Sequence, residues 1–85
     1  MSASLTSVAL RDELRAYLRK LSGATTIADD DELFARGLLN SLYALQIVQF
    51  VESRFGLALA DEDLALENFH TIEAIARLIE QRSNA

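Results

Sequence analysis

Ser41 is the residue of this sequence whose type and position best suit a chemical role. It lies in the segment Gly-Leu-Leu-Asn-Ser-Leu, residues 37–42, which opens an apolar stretch with helical spacing. A serine in the first turn of a helix stands beside backbone N–H groups that lack an acceptor within the helix, at the positive end of the helix dipole. That position favours an anion such as a phosphate. The plainer interpretation is that the residue caps the helix, a common role of serine.

Two other features suggest chemistry only weakly. A hydrolase would need His70, the single histidine, as the general base for the Ser41 hydroxyl. We interpret His70 instead as a solvent-facing or capping residue, because a lone histidine without an orienting partner seldom indicates catalysis. The acidic run at residues 29–32 lacks the spacing of a calcium loop, and we interpret it as a solvated loop. The sequence therefore predicts no catalytic residue and no metal ligand, and we do not expect an enzyme.

The composition favours one small acidic domain. The chain has 85 residues, 51% of them hydrophobic, which predicts a single domain over 1–85 with a core at about 8–82. The net charge of −5 disfavours nucleic acid and anionic membranes as partners and favours basic proteins. The N-terminus lacks the basic flank of a signal peptide, and no apolar run approaches the roughly 18 residues of a membrane span. We expect a soluble, cytoplasmic monomer, and the lack of cysteine excludes disulfides.

The elements that precede Ser41 are predicted to be a helix and a long loop. Apolar residues with helical spacing indicate a first helix over residues 5–21, and Gly23 suits its C-terminal end. Residues 22–40 then form a loop of about 18 residues, a length that is often functional. Four apolar residues are expected to hold this loop against the core: Leu33, Phe34, Leu38 and Leu39.

The second helix is predicted to run from Ser41 to Phe55. Asn40 is a favoured N-cap, and Gly56 is favoured immediately after the last helical residue. Its buried face is expected to comprise Ala44, Ile47, Val48, Val51 and Phe55. A short helical segment over 61–66, starting with an Asp cap, and a last helix from near Thr71 complete the chain. The fold class is therefore all-α: a small bundle of three main helices and one short helix.

The opposite side of the second helix is predicted to be polar except for two leucines near Ser41. Leu42 and Leu45 point toward this side, together with Gln46, Gln49, Glu52 and Ser53. For Leu42 we favour contact with a partner protein. For Leu45, such a contact and packing under the loop or the short helix stay equally open. Tyr43 and Phe50 are expected to pack against the first or last helix.

This succession of elements resembles that of acyl carrier proteins over residues 8–82. The resemblance depends on the long loop, on Gly-Leu-Leu-Asn-Ser-Leu opening an apolar helix, on the acidic short helix and on the isoleucine-rich last helix. It implies that Ser41 bears a 4′-phosphopantetheine arm, transferred from coenzyme A by a phosphopantetheinyl transferase. It also implies that the arm presents an acyl or aminoacyl thioester to acyl-loading and acyl-processing enzymes. Leu42 occupies the position of the family's leucine.

Two departures from the family's pattern concern its partners. Asn40 replaces the usual aspartate, which keeps the helix cap but removes a charge and so bears on the choice of transferase. Gln46 and Gln49 stand where carriers often have acids, which leaves Glu52 on that face and places other acids at 61–63. The residues predicted to contact partners are Asn40, Leu42, Leu45, Gln46, Gln49, Glu52, Asp61 and Glu62.

The cargo is left open by the sequence. Residues 40–52 are most similar to discrete carriers of hydroxymalonyl or methoxymalonyl units in polyketide pathways. Carriers of fatty acid biosynthesis, D-alanyl carriers and other aminoacyl carriers share the architecture. A helical interaction module without a cofactor, in which Ser41 only caps its helix, is the alternative outside the carriers.

Overall fold

The structure, a computed structural model, describes residues 7–83, apart from the side chains of Ser7 and Leu66. Its three α-helices are α1 (Ser7–Ser22), α2 (Ser41–Phe55) and α3 (Ile72–Ser83), and two 3₁₀ turns, Asp61–Leu64 and Leu66–Asn68, lie between α2 and α3. No strand occurs among these residues, so the predicted all-α fold with a long first loop is confirmed. The two 3₁₀ turns take the place of the single short helix. The predicted helix start at residue 5 lies outside the described residues.

The core forms where the apolar stripes of α1 and α3 meet. On α1, Leu10, Leu14 and Leu18 recur at intervals of four residues, which places them on one face of the helix. On α3 the buried residues are Ile72, Ile75, Ala76, Leu78 and Ile79. The two helices pack directly against each other. Burying one such leucine or isoleucine side chain contributes about 1.5–3 kcal/mol of transfer free energy, so these stripes fix the frame of the fold.

The helix ends are fixed by the residues that the sequence predicts for them. Gly56, after α2, has φ +68°, and its N–H donates to the carbonyl oxygen of Glu52. Gly23, after α1, has φ +77°, and its amide nitrogen lies 2.8 Å from the carbonyl oxygen of Arg19. Both values of φ lie in the left-handed region, where glycine carries no Cβ penalty. The predicted bounds of α2 are confirmed.

The long loop between α1 and α2 is packed against the bundle. Its residues Leu33, Leu38 and Leu39 are buried and Phe34 is half-buried, as predicted. Ile27 is buried as well, a contact that the sequence analysis did not anticipate. The backbone polar groups of a buried loop need hydrogen-bond partners. In this loop, some of those partners are backbone groups around the start of α3.

The acidic run of the loop is less solvated than the sequence suggested. Three of its four acids contact basic residues elsewhere in the chain: Asp29 and Asp31 form ion pairs with Arg15 and Arg36, and the carboxylate of Glu32 lies within hydrogen-bond distance of the His70 ring. The side chain of Asp31 also accepts a hydrogen bond from the amide of Ala28 at 2.8 Å. This bond, followed by the charge of Arg36, lowers the pKa of Asp31 below its ordinary value.

The predicted Asp cap of the short helix is wrong. The first 3₁₀ turn begins after Ala60, and the carboxylate of Asp63 accepts a hydrogen bond from the Ala60 amide at 2.9 Å. Asp63 is buried, with 4% of its surface exposed, and forms an ion pair with Arg82 near the end of α3. The Arg82 hydrogen bond lowers the pKa of Asp63, and the Ala60 amide acts in the same direction. Asp61, the predicted cap, is exposed instead.

Residues 7–83 contain neither a membrane-spanning helix nor a cluster of metal-binding side chains. No helix in this part of the chain has the length and apolar character that a membrane crossing requires. No group of three or more histidine and acidic side chains there is arranged to hold a metal ion.

Candidate functional site

Ser41 is the first residue of α2, and its side chain is exposed. Its hydroxyl makes no hydrogen bond with the described part of the chain. Asn40 adopts an extended conformation, φ −143° and ψ −176°, and its Oδ1 accepts a hydrogen bond from the amide of Tyr43 at 2.9 Å. The capping role therefore belongs to Asn40, which leaves the Ser41 hydroxyl available for chemistry. The predicted N-cap is confirmed.

The geometry of the first turn of α2 suits an anionic substituent on Ser41. The Asn40 side chain satisfies the amide of Tyr43, and the Asn40 carbonyl oxygen accepts from the amide of Ala44 at 2.7 Å. The amides of Ser41 and Leu42 have no acceptor within the helix. A phosphate ester on the Ser41 oxygen would lie beside these N–H groups, at the positive end of the helix dipole. The residues present thus fit a phosphodiester at this position.

The backbone before Ser41 is held in place by buried leucines. The amides of Leu38 and Leu39 both donate to the carbonyl oxygen of Leu33, at 2.8 and 3.2 Å. All three side chains are buried. Within α2, the side chains of Ile47 and Val51 are fully buried and attach the helix to the core. Ser41 is therefore the exposed end of a segment that is anchored on both sides.

Two exposed leucines lie next to Ser41 on α2. Leu42 is 60% exposed and Leu45 is 57% exposed, so neither packs fully under the loop. Gln49 is exposed on the same helix, and Asp61 and Glu62 are exposed on the first 3₁₀ turn. These residues give the protein an accessible surface that carries little charge on α2.

Glu52, the remaining acid predicted on this face, has a contact inside the chain. Its Oε2 accepts a hydrogen bond from the amide of Leu59 at 2.9 Å, and its side chain is half-buried, as is that of Gln46. The carboxylate thereby fixes the segment that follows α2.

Aromatic contacts hold α2 against α1, as expected for Phe50. The rings of Phe50 and Tyr17 stack with centroids 4.1 Å apart and an interplanar angle of 9°. Phe55 meets Phe50 edge to face, at 6.2 Å between centroids. Tyr43 is half-buried and packs against the core. These rings stabilise the helix that presents Ser41, since such pairs contribute about 0.5–1.5 kcal/mol each beyond burial.

His70 is not brought to Ser41. The Nδ1 atom of His70 lies 2.7 Å from Oε2 of Glu32, and no hydrogen bond joins His70 to the Ser41 hydroxyl. A general base must lie within about 2.6–3.2 Å of the proton that it abstracts. His70, Glu73 and Arg77 lie instead in the wall of an open polar groove of about 340 Å³ along α3, which Ser41 does not line. The ring is partly exposed to solvent, with 44% of its side chain accessible, and it also contacts the loop through Glu32.

Glu73, at the start of α3, joins three parts of the chain. Its amide donates to the carbonyl oxygen of Asp29 at 3.0 Å. Its carboxylate accepts from Nε of Arg11 at 2.8 Å and from Nε of Arg77 at 2.9 Å. The Arg11 hydrogen bond is the largest of the causes that lower the pKa of Glu73 to about 2. The loop that leads to Ser41 is thereby attached to a charged network on α1 and α3.

Comparison with known protein families shows what kind of protein this chain is. A family described as a phosphopantetheine attachment site matches residues 4–79, almost the whole chain. The chain belongs to this family. No curated protein and no solved structure matches it. As a phosphopantetheine attachment domain, the protein is a carrier, and its cofactor is 4′-phosphopantetheine. The resemblance to carrier proteins drawn from residues 37–42 and the helices around them is thus confirmed at the level of the family.

Sequence reasoning about this attachment domain missed the residues that support the site from a distance. Leu33, His70 and Glu73 connect the loop to α3 by backbone hydrogen bonds. In the sequence, Leu33 stands out only as an apolar residue in a polar loop. His70 and Glu73 stand out only as residues near the start of α3. Backbone contacts between segments so far apart in the chain leave no pattern in a single sequence.

Proposed function

We propose that this carrier holds an acyl intermediate as a thioester on a 4′-phosphopantetheine arm attached to the hydroxyl of Ser41. The observation that supports the proposal most is the state of that hydroxyl, which is exposed at the first residue of α2 and makes no hydrogen bond with any residue that the structure describes. The arm supplies a thiol that binds the acyl group and brings it to several enzymes at high effective concentration. The chain itself contributes the anchoring oxygen, the helix terminus and a docking surface.

The assignment of Ser41 is tested by the mass of the intact protein. Incubation with coenzyme A and a promiscuous phosphopantetheinyl transferase should add the mass of one phosphopantetheine to the wild-type chain. Ser41→Ala should add none while keeping the helical circular dichroism spectrum of the wild type. The matched control is Ser53→Ala, which removes another exposed serine of the same helix and should load like the wild type. Loading of Ser41→Ala, or failure of the wild type with several transferases, contradicts the proposal.

The docking surface that we propose surrounds Ser41 and extends to the first 3₁₀ turn. It consists of Asn40, Leu42, Leu45, Gln46, Gln49, Glu52, Asp61 and Glu62. Exposure of Leu42 and Leu45 supports its apolar part, and exposure of Asp61 and Glu62 supports its acidic part. The phosphopantetheinyl transferase and the acyl-loading and acyl-processing enzymes are its proposed partners. A modest apolar contact with a few charges at its margin suits fast association and release, which a carrier requires.

For the cargo we propose a small polar acyl unit of the hydroxymalonyl or methoxymalonyl type, used in polyketide biosynthesis. The similarity of residues 40–52 to carriers of such units supports it. The largest fully buried side chains, among them Leu14, Leu18 and Ile47, are all aliphatic. An acyl group rich in oxygen would find no hydrogen-bond partners among them and is expected to stay in water. Mass spectrometry of the natively purified protein identifies the bound acyl group, and a D-alanyl or other aminoacyl group would contradict this part.

The proposal also covers the setting in which the carrier acts. We propose a monomer in the cytoplasm, with one carrier domain over residues 1–85. Size-exclusion chromatography with light scattering tests the monomer, and a dimer mass would contradict it.

A further inference from the structure

The start of α3 holds the loop that leads to Ser41 by two backbone hydrogen bonds. The amide of Leu33 donates to the carbonyl oxygen of His70 at 2.8 Å, and the amide of Glu73 donates to the carbonyl oxygen of Asp29 at 3.0 Å. Both bonds join segments that are distant in sequence. They determine where the middle of the loop lies on the bundle.

Leu33 also holds the backbone of the residues that precede Ser41. Its carbonyl oxygen accepts hydrogen bonds from the amides of Leu38 and Leu39. Leu39 is followed directly by Asn40, which caps α2, and then by Ser41. A continuous set of backbone hydrogen bonds therefore runs from His70 through Leu33 to the residue before the cap.

A side-chain contact lies beside the first of these bonds. Oε2 of Glu32 is 2.7 Å from Nδ1 of His70. Glu32 precedes Leu33 in the chain, so the same two segments are joined twice, once through their backbones and once through side chains. Arg77, which lines the same groove as His70, is bonded to Glu73, and Arg36 in the loop is bonded to Asp31.

We propose that Glu32 and His70 are positioning residues for attachment of the arm. The contact between their side chains keeps residues 33–39 in the conformation in which Ser41 and its cap fit a transferase. This inference rests on the proposed attachment of the arm at Ser41. Its chemical basis is that the pair stabilises one conformation of the loop and has no contact with the reacting oxygen.

Loss of the pair is expected to change KM and to leave kcat unchanged. The loop conformation to which the transferase binds is here called competent. A transferase that binds only this conformation has an apparent affinity for the carrier that falls in proportion to the fraction of carrier in it. Once bound, the complex is the same and reacts at the same rate. Because exposed side-chain contacts are weak, the KM for the carrier should rise by at most about five-fold.

The test is a double-mutant cycle on the loading reaction. Glu32→Ala, His70→Ala and the double variant are compared with the wild type, so that effects of each side chain alone cancel. The matched control is the cycle of Glu13→Ala and Arg54→Ala. That pair also spans 2.7 Å between partly exposed side chains, but it joins α1 to α2 without the loop. A coupled rise in KM in the first cycle and none in the second supports the inference.

Equal KM changes in the two cycles, or a fall in kcat at constant KM, would overturn it. A wild-type chain that accepts no arm would overturn the proposed function itself, which makes the two failures distinguishable. Hydrogen exchange of the unloaded protein gives a readout that does not need the arm. The amides of Leu33, Leu38 and Leu39 should exchange several-fold faster in Glu32→Ala than in Glu13→Ala, and equal exchange in both variants would contradict the inference.

Discussion

Asn40 and Tyr43 are joined by a hydrogen bond of 2.9 Å between the side-chain oxygen Oδ1 and the amide nitrogen. This bond caps the N-terminus of α2, so the hydroxyl of the neighbouring Ser41 is not needed as a cap. Asn40→Ala should lower the free energy of unfolding by about 1 kcal/mol, because the Tyr43 amide loses its acceptor. Asn40→Asp restores an acceptor and should unfold like the wild type. Denaturant unfolding measures both, and an Asn40→Ala variant as stable as Asn40→Asp would show that the cap contributes nothing.

Core and surface positions of α2 should respond differently to truncation. Ile47 is fully buried, and Ile47→Ala should cost about 2–5 kcal/mol of unfolding free energy. Leu45 is 57% exposed, and Leu45→Ala should stay within about 0.5 kcal/mol of the wild type. The same variant should raise the KM of the transferase if Leu45 lies in the docking surface. Val8→Ala is the control, since Val8 is exposed on α1, and an equal change in KM for Val8→Ala would contradict a specific docking role for Leu45.

The C-terminal end of α2 depends on the backbone conformation of Gly56. With φ at +68°, an L-residue with a Cβ is strained there even though no atom lies within 4 Å of the added carbon. Gly56→Ala should therefore destabilise the fold by about 1–2 kcal/mol, and Gly56→Asn by less, because asparagine tolerates this region. Thermal unfolding of the two variants decides the point. Equal melting temperatures for Gly56→Ala and the wild type would show that the end of α2 rearranges.

The buried acid Asp63 should matter more for stability than the exposed acid Asp61. Asp63 binds the amide of Ala60 and the guanidinium of Arg82, whereas Asp61 lies on the surface. Asp63→Ala leaves both of these groups without their partner, so its melting temperature should fall well below that of Asp61→Ala. Similar melting temperatures for the two variants would contradict this prediction. They would mean that water or another side chain can replace Asp63 as the partner of the Ala60 amide.

Glu73 should make stability depend on pH in the acid range. Its pKa is lowered from 4.5 to about 2, chiefly by the hydrogen bond from Arg11. A carboxyl whose pKa is lower in the folded state stabilises the fold at pH values above its ordinary pKa. That contribution is lost as the pH falls from about 4.5 toward about 2. Glu73→Gln should therefore lose less unfolding free energy than the wild type between about pH 6 and about pH 2.5. Glu67→Gln, at an exposed acid of the second 3₁₀ turn, is the control and should follow the wild type.

The parts of the fold that the sequence predicted are those determined by neighbouring residues. Asn40 and Gly56 fixed the bounds of α2, and Gly23 fixed the end of α1, because capping depends on residues within one turn. For Ser41 the same local rule left a capping role open, and the structure gives that role to Asn40. Helical periodicity placed Leu42 and Leu45 on the polar side of α2, but it left packing of Leu45 under the loop or the short helix equally open. The cap of the first 3₁₀ turn was wrongly assigned to Asp61 from the sequence. Residues 61–63 are three consecutive acids, and periodicity does not show which of them is the cap.

The sequence by itself determined the helices, because caps and periodicity are local properties, and one short motif predicted the type of the site with Ser41 at its centre. Tertiary structure alone decided which partners the loop acids have and how Leu33, His70 and Glu73 hold the segment before Ser41. It also decided that Glu52 binds Leu59. These contacts join residues far apart in the chain, and they exist only because packing of α1 against α3 brings those residues together.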